Sequence, residues 1–151
     1  MTRRYLISGS IGAAVVLADL ATKGMAAVAF REGGMTVIPG FLEFTFTENP
    51  GAAFSLFQNA GPVLGAAAIL VSIGILVILR NPRPTIEVVA LGLVLGGALG
   101  NLVDRIFRGP GLLDGRVIDW IVLGPIPTFN LADAAVTTAV GLFLIHAWLS
   151  R

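Results

Sequence analysis

The sequence predicts a membrane protein that is essentially all-α with a small β element: four transmembrane helices and a strand-rich outward segment after the first. Hydrophobic residues make up 56% of the 151-residue chain and charged residues only 13%, and the mean hydropathy is +0.89. A soluble domain of this length cannot bury that much apolar surface, and a disordered chain would be richer in charge. The apolar residues also fall into four long runs, and one segment between them alternates with a period of two.

The composition also excludes several kinds of site. A net charge of +1 gives no electrostatic basis for nucleic-acid binding. The absence of cysteine excludes disulfides, thiolate metal sites and a cysteine nucleophile. The one histidine, His146, lies in the fourth apolar run, far from the acidic residues, so neither a zinc site nor a Ser-His-Asp triad is expected. We expect no metal, no cofactor and no nucleic-acid partner.

The four apolar runs are predicted to form helices, because a membrane span needs about 20 residues and must satisfy its backbone internally. For the first run a cleavable signal peptide is the alternative, since it follows a basic start, but three further runs favour a retained span. The prediction is one domain, residues 1–151, with spans at residues 5–23, 61–79, 86–103 and 131–149 and outward segments at residues 24–60 and 104–130.

Both termini are predicted to lie in the cytoplasm. Four spans place the termini on one side, and the ten basic residues divide equally between the two sides. Arg3 and Arg4 flank the first span, and the short loop at residues 80–84 is basic without an acid. Bases on the opposite side are mixed with acids, so the positive-inside rule favours cytoplasmic termini.

Local patterns predict a strand and a close helix contact. Within residues 41–48, apolar and polar side chains alternate from residue 42 to residue 47 between turn signals, which is typical of a strand with one apolar face. Gly92, Gly96 and Gly100 share one helical face and are expected to admit a neighbouring helix, with Gly97 widening the same groove. Three aromatic residues are predicted to lie at the membrane interface: Tyr5, Trp120 and Trp148.

Two pairs of charged residues adjoin the apolar runs, where ionisable groups are costly and are therefore functional candidates. Asp19 and Lys23 are four residues apart and are predicted to form a local ion pair. Asp104 and Arg105 directly follow the glycine-rich run. They would either end the helix as an ion pair or let Arg105 hold a carboxylate or a substrate carbonyl.

Asp119 and Asp133 flank a short apolar stretch that contains prolines. One interpretation is structural, because an aspartate in the first turn of a helix is favoured and Asn130 would cap that helix. In the other, the two carboxylates meet and share one proton. Their repulsion would then raise the pKa of one and leave that of the other low, so that the pair activates a water and protonates a leaving amine. The spacing alone leaves both interpretations open.

Several sequence blocks, in order along the chain, resemble those of the lipoprotein signal peptidase family, also called signal peptidase II. Each block alone is weak, but their order in a four-span chain of this length is specific. The blocks read DLATK at residues 19–23, NPGAAFS at 49–55, GNLVDR at 100–105, RVIDW at 116–120 and FNLAD at 129–133.

The resemblance implies an intramembrane aspartic endopeptidase of the bacterial inner membrane, with its active site near the outer, periplasmic face. Its substrates are prolipoproteins whose cysteine already carries a diacylglyceryl group, and its other partner is membrane lipid; we expect a monomer. An outward cradle and a lid would fall within residues 24–60. Asp119 and Asp133 would be catalytic, and Asn49 and Arg105 would position the substrate backbone. The supporting residues carried over are Asp19, Lys23, Asn49, Gly51, Asn101, Asp104, Arg105 and Asn130.

The chain departs from the family pattern in two places, and two other functions compete. Residues 105–119 are longer than usual and residues 120–129 shorter, which makes Asp114 a rival candidate for Asp119. The first competing function is a small transporter or channel subunit with acidic ion sites, but the acids gather at one membrane edge. The second is a purely structural subunit, which leaves the co-occurrence of the polar blocks unexplained.

Overall fold

The computed structural model describes residues 2–51 and 60–151. All four of its helices are long and apolar enough to cross a membrane. The predicted class, four apolar helices with a small β element, is confirmed. The end of the NPGAAFS block and part of the segment expected to hold the cradle and the lid, residues 52–59, lie outside the described residues. The elements are α1 (Thr2–Ala29), β1 (Met35–Ile38), β2 (Leu42–Asn49), α2 (Gly61–Ile78), α3 (Thr85–Phe107), β3 (Val117–Leu123), β4 (Ile126–Phe129) and α4 (Leu131–Leu149).

Two helices extend beyond their predicted ends. α1 continues past Lys23 to Ala29, and α3 continues past Asp104 and Arg105 to Phe107. The charged side chains at these points are buried and satisfied by partners within the protein, so they do not force the helix to stop. The prediction that Asp104 and Arg105 end the helix as an ion pair is therefore wrong: Asp104 pairs with Lys23 and Arg108 instead.

α3 is the central helix, and its glycines bring α1 and α4 close to it. A methyl group added at Gly96 would lie 2.6 Å from Val15 Cβ on α1, so the predicted close contact at this face is confirmed. Gly97 faces the other way, because a methyl group there would meet the Ala132 carbonyl oxygen of α4. The prediction that Gly97 widens the same groove is therefore wrong.

An apolar cluster lies at the end of the bundle that carries the α2–α3 loop. It joins the last turns of α2 to the first half of α3, and Tyr5 of α1 packs against it while donating a hydrogen bond to the Leu76 carbonyl, 3.1 Å away. Its buried members are Ile75, Leu79, Val88, Leu91 and Leu95. This end of the bundle is held by side-chain packing, whereas the opposite end carries the polar groups.

The four strands form one antiparallel sheet in the order β1-β2-β3-β4. β2 corresponds to the predicted strand, but the other three were not predicted. Between β2 and β3, Thr47 pairs with Asp119 and Asn49 with Val117, which brings the end of β2 beside the beginning of β3. Gly124, with φ +52°, makes the tight turn from β3 to β4.

An aromatic cluster ties the sheet to the end of α1. The Trp120 ring lies 5.2 Å from that of Phe44, which in turn lies 5.9 Å from that of Phe30. Trp120 is 9% exposed and Trp148 is 72% exposed, and their position at the membrane interface stays a prediction. Trp120 thus packs on Phe44 within the sheet, and Phe44 makes the contact to Phe30 at the end of α1.

Candidate active site

Asp119 is held by one amide donor on each carboxylate oxygen. Asn49, at the end of β2, donates from Nδ2 to Oδ2 at 2.9 Å, and Asn130 donates from Nδ2 to Oδ1 at 2.7 Å. The strand pairing that sets Thr47 opposite Asp119 places Asn49 within reach. Both contacts constrain a carboxylate that is only 3% exposed.

Asp133 lies in the first turn of α4 and shares Asn130 with Asp119. Asn130 Oδ1 accepts from the Asp133 backbone N–H at 3.0 Å, and Asp133 Oδ2 accepts from the Asn130 N–H at 3.2 Å, which is a capping box. The predicted cap by Asn130 is confirmed. The second oxygen, Oδ1, accepts from Asn101 Nδ2 at 2.8 Å. The structural and the chemical interpretations of these residues are therefore compatible, since one asparagine serves both carboxylates.

The surroundings of Asp119 favour its protonated form. Burial, and to a smaller extent the nearby charge of Asp133, raise the pKa of Asp119 to about 6, while the hydrogen bonds from Asn49 and Asn130 oppose the rise. A carboxyl group with such a pKa can hold or release a proton close to neutral pH, as general acid–base chemistry requires.

A buried lysine links the site to α1. Lys23 Nζ lies 2.6 Å from Asp19 Oδ2 and 2.9 Å from Asp104 Oδ2, and all three side chains are inaccessible to solvent. The predicted Asp19–Lys23 pair is confirmed, and it extends from α1 to α3. Asp19 also accepts a hydrogen bond from the Ala132 N–H at 3.0 Å, so α1 satisfies a free donor at the start of α4.

Lys23 also determines which way the Asn101 amide points. Lys23 Nζ donates to Asn101 Oδ1 at 3.0 Å, and Asn130 Nδ2 donates to the same oxygen at 3.1 Å. Because an ammonium group can only donate, the amide oxygen must face Lys23 and the amide nitrogen must face Asp133. The buried ion pair therefore orients a donor toward the second carboxylate.

Arg105 joins two chain segments at the edge of the site. Its Nη2 donates to the Gly51 carbonyl at 3.1 Å, and its Nη1 donates to the Gly115 carbonyl at 3.4 Å. Both carbonyls belong to this chain, so the predicted binding of a substrate carbonyl by Arg105 stays a prediction. Asp114, the rival to Asp119, accepts from the Gly111 N–H within its own loop at 2.9 Å.

The two aspartates open onto one cavity of about 630 Å³. Leu64 and Ala68 of α2 form one apolar wall, and Val136 and Thr137 of α4 form part of another. The last two follow Asp133 at helical spacing and could have been predicted from it, whereas nothing in the sequence pointed to the α2 wall. Six of the predicted site residues line the cavity: Asn49, Gly51, Asn101, Arg105, Asp119 and Asp133. The other four support them from behind: Asp19, Lys23, Asp104 and Asn130.

The chain is similar to characterised proteins over most of its length. The family model described as "Signal peptidase (SPase) II" matches residues 11–149. A lipoprotein signal peptidase of Rhodococcus jostii is 41% identical over 145 residues, which cover 95% of this chain and 73% of the relative. One of Symbiobacterium thermophilum is 37% identical over 148 residues, which cover 93% of each.

Two solved structures share the fold. Both are bacterial membrane enzymes solved by the in meso method, at 2.3 Å and 1.9 Å resolution. The first superposes with a TM-score of 0.83 at 29% identity and covers 93% of this chain and 87% of its own. The second gives a TM-score of 0.79 at 30% identity and covers 93% and 91%.

Proposed function

The chain belongs to the signal peptidase II, or lipoprotein signal peptidase, family, and we propose that it cleaves prolipoproteins as an aspartic endopeptidase in which Asp119 and Asp133 form the catalytic pair. The observation that carries this assignment is the convergence of the two carboxylates on one cavity, each held by its own amide donor. The family does not favour the alternative of a transporter or channel subunit.

The proposed reaction needs one ionised and one protonated carboxyl group. The ionised group takes a proton from a water, whose oxygen attacks the scissile carbonyl, while the protonated group donates to the carbonyl oxygen. Collapse of the tetrahedral intermediate breaks the C–N bond: the proton taken from water passes to the leaving amine, and a hydroxyl proton of the intermediate returns to the carboxylate that had donated one, which regenerates the pair. The pKa of Asp119, raised to about 6, supports a singly protonated pair at mildly acidic pH.

We assign the supporting residues to orientation. Asn49 and Asn130 fix the Asp119 carboxylate, and Asn101 fixes that of Asp133. Arg105 lines the cavity beside Gly51, so its guanidinium is placed to bind a substrate backbone carbonyl as well. Asp19, Lys23 and Asp104 act through these groups.

The membrane arrangement follows from where the cavity lies. It is formed by the beginnings of α2 and α4 and the end of α3, at the opposite end of the bundle from the basic loop at residues 80–84. With that loop in the cytoplasm, the site lies near the periplasmic face of the inner membrane. We propose that residues 1–151 act as one domain and as a monomer, on a substrate whose diacylglyceryl chains stay in lipid against the apolar helices.

The direct test is cleavage of a diacylglyceryl-modified prolipoprotein by the purified full chain in lipid nanodiscs. The wild type should cut on the amino-terminal side of the lipidated cysteine. Asp119→Asn and Asp133→Asn should each lower kcat by at least about a thousandfold, because each removes a proton-transfer group. Asp114→Asn is the matched control and should keep the wild-type rate.

Two results would contradict the assignment. Full activity of either dyad variant would exclude a two-aspartate mechanism, and loss of activity in Asp114→Asn would mean that the wrong aspartate had been chosen. Circular dichroism of each variant separates loss of chemistry from loss of fold. Equal cleavage of the unmodified prolipoprotein would contradict the proposed requirement for the diacylglyceryl group.

A further inference from the structure

Residues 109–115 lie between α3 and β3, and the carboxyl-terminal end of this segment, here called the strap, is hydrogen-bonded to α3. The Gly115 N–H donates to the Arg105 carbonyl at 3.0 Å, and the next N–H, that of Arg116, donates to the Arg108 carbonyl at 3.3 Å. Within the strap, Asp114 Oδ1 accepts from the Gly111 N–H at 2.9 Å. The strap is therefore tied to the last turn of α3.

The strap presses one side chain onto α2. A methyl group added at Gly65 would lie 2.9 Å from Leu113 Cβ and 3.2 Å from its Cδ2, and one added at Gly61 would lie 3.0 Å from Asp114 Cα. Leu113 has φ +64°, a left-handed conformation that is unfavourable for a residue with a branched side chain. Such a conformation persists only where the surroundings hold it in place.

The contact holds the half of α2 that lies next to the cavity. The buried residues of α2 are Gly61 and Gly65 under the strap, and Ser72 and Ile75 toward the other end. Ile75 belongs to the apolar cluster with α3. Among the described residues, α2 is therefore fastened at its far end by the apolar cluster and at its near end by the strap.

The same half of α2 forms a wall of the active-site cavity. Leu64 and Ala68 line the cavity together with Asp119 and Asp133, and Leu64 is adjacent in sequence to Gly65. A shift of Gly65 relative to the strap would move this wall toward or away from the two aspartates. The width of the cavity on this side thus depends on Leu113, which does not itself line it.

We propose that Leu113 is a specificity-determining residue, because it sets the distance between the α2 wall and the catalytic pair. That distance determines how well the apolar part of the lipidated substrate fits into the cavity. The inference rests on the proposed function, since it concerns the same cavity and the same substrate class. Leu113 acts through α2 and is a positioning residue, because it touches neither the substrate nor the aspartates.

The first test separates binding from chemistry. Leu113→Ala should raise KM for the diacylglyceryl prolipoprotein about five- to tenfold and leave kcat within about twofold, since ground-state fit is lost while the aspartates are untouched. Leu112→Ala is the matched control, because the neighbouring side chain is 82% exposed. It should leave both constants unchanged.

A complementary pair of substitutions tests the contact itself. Gly65→Ala should push α2 away from Leu113 and raise KM, because the new methyl group has no room. Leu113→Gly relieves the left-handed strain but leaves a gap, so KM should also rise. In the double variant the methyl group occupies the vacated space, and KM should return at least halfway to the wild-type value.

A distance measurement provides a readout independent of activity. The chain has no cysteine, so Val63→Cys on α2 and Val140→Cys on α4, both on exposed faces, can be spin-labelled selectively. Leu113→Ala should shift or broaden the distance distribution between the labels, and Leu112→Ala should not. One outcome would overturn the proposed function but not the placement of α2. In it, the wild-type chain does not cleave the prolipoprotein, and the distance between the two labels still changes when Leu113→Ala is introduced.

Three results would overturn the inference. The first is a label distance that does not change in Leu113→Ala. The second is an additive double variant, with KM higher than in either single variant. The third is an unchanged KM in Leu113→Ala together with a kcat that falls in proportion to the fraction of folded protein. That result would mean that Leu113 only stabilises the fold.

Discussion

At the scale of single residues, the site depends on asparagines that orient carboxylates. The hydrogen bond from Asn49 reaches an oxygen of Asp119 and stabilises its ionised form. The raised pKa of Asp119, about 6, is thus a balance in which burial exceeds the effect of its donors. The proton affinity of the pair should therefore respond to each donor.

This balance gives a pH prediction. If the singly protonated pair is active, cleavage falls as pH rises and the last proton is lost. Asn49→Ala removes a group that favours the ionised form, so the pKa of Asp119 should rise and the alkaline limb of kcat/KM should move to higher pH, by about one unit. The limb belongs to the coupled pair and is measured from rate profiles between about pH 5 and 9.

The control for this shift is Glu48→Gln, which removes the neighbouring carboxylate. Glu48 lies outside the cavity in an exposed 3.7 Å ion pair with Arg116, so its loss should leave the limb where it is. An Asn49→Ala limb at lower pH would show that Asn49 stabilises the protonated form, contrary to the hydrogen bond described.

At the scale of elements, α3 organises the bundle through glycine contacts. Gly96→Val should force α1 away from α3, because even a methyl group would lie 2.6 Å from Val15 Cβ. We expect a loss of stability of about 1–3 kcal/mol, the usual cost of overpacking. Thermal unfolding in detergent measures the effect.

Gly74→Val is the matched helical control, since a methyl group at Gly74 meets no atom within 4 Å. This variant measures how the change from glycine to valine affects stability through helix propensity alone, without a contact between helices. Equal melting temperatures for the two variants would contradict the packing role of Gly96.

The elements differ in how far they could be predicted from sequence. The four helices follow from apolar runs, and β2 follows from its alternation. β3 was not predicted because its first four residues, Val117 to Trp120, are all buried, which removes the period of two that marks a half-exposed strand. β1 and β4 have four residues each, too few for a recognisable pattern.

Charged residues explain why the ends of two helices were misplaced. Lys23 and Asp104 resemble the ends of membrane spans when each is considered alone along the chain. They are partners across two helices, 2.9 Å apart, and only the tertiary fold brings them together. The predicted site residues were recognisable from their motifs, whereas the α2 wall of the cavity depends on packing and was not.

At the scale of the whole molecule, the cavity and the basic loop at residues 80–84 lie at opposite ends of the bundle. Single cysteines introduced at the two ends should therefore differ in whether they react with a membrane-impermeant thiol reagent. In spheroplasts with an intact inner membrane, Leu112→Cys in the strap should be labelled, and Asn81→Cys should be labelled only after permeabilisation. Both positions are exposed, so the difference reports sidedness.

The reverse pattern would overturn the proposed orientation and place the active site on the cytoplasmic side. Labelling of both cysteines in intact spheroplasts would indicate a leaky preparation, which is checked with a cytoplasmic marker enzyme. The wild-type chain, having no cysteine, gives the background directly.

The register between β2 and β3 limits how this chain can change over evolution. Side chains alternate across a strand, so one residue inserted in β3 ahead of Asp119 would turn its carboxylate to the opposite face and break both of its hydrogen bonds. The strap ends before β3 begins, so gains or losses of residues there leave the pairing intact. Insertions and deletions should therefore accumulate in the connection that shapes the cavity wall, which lets substrate preference diverge while the catalytic pair is inherited unchanged.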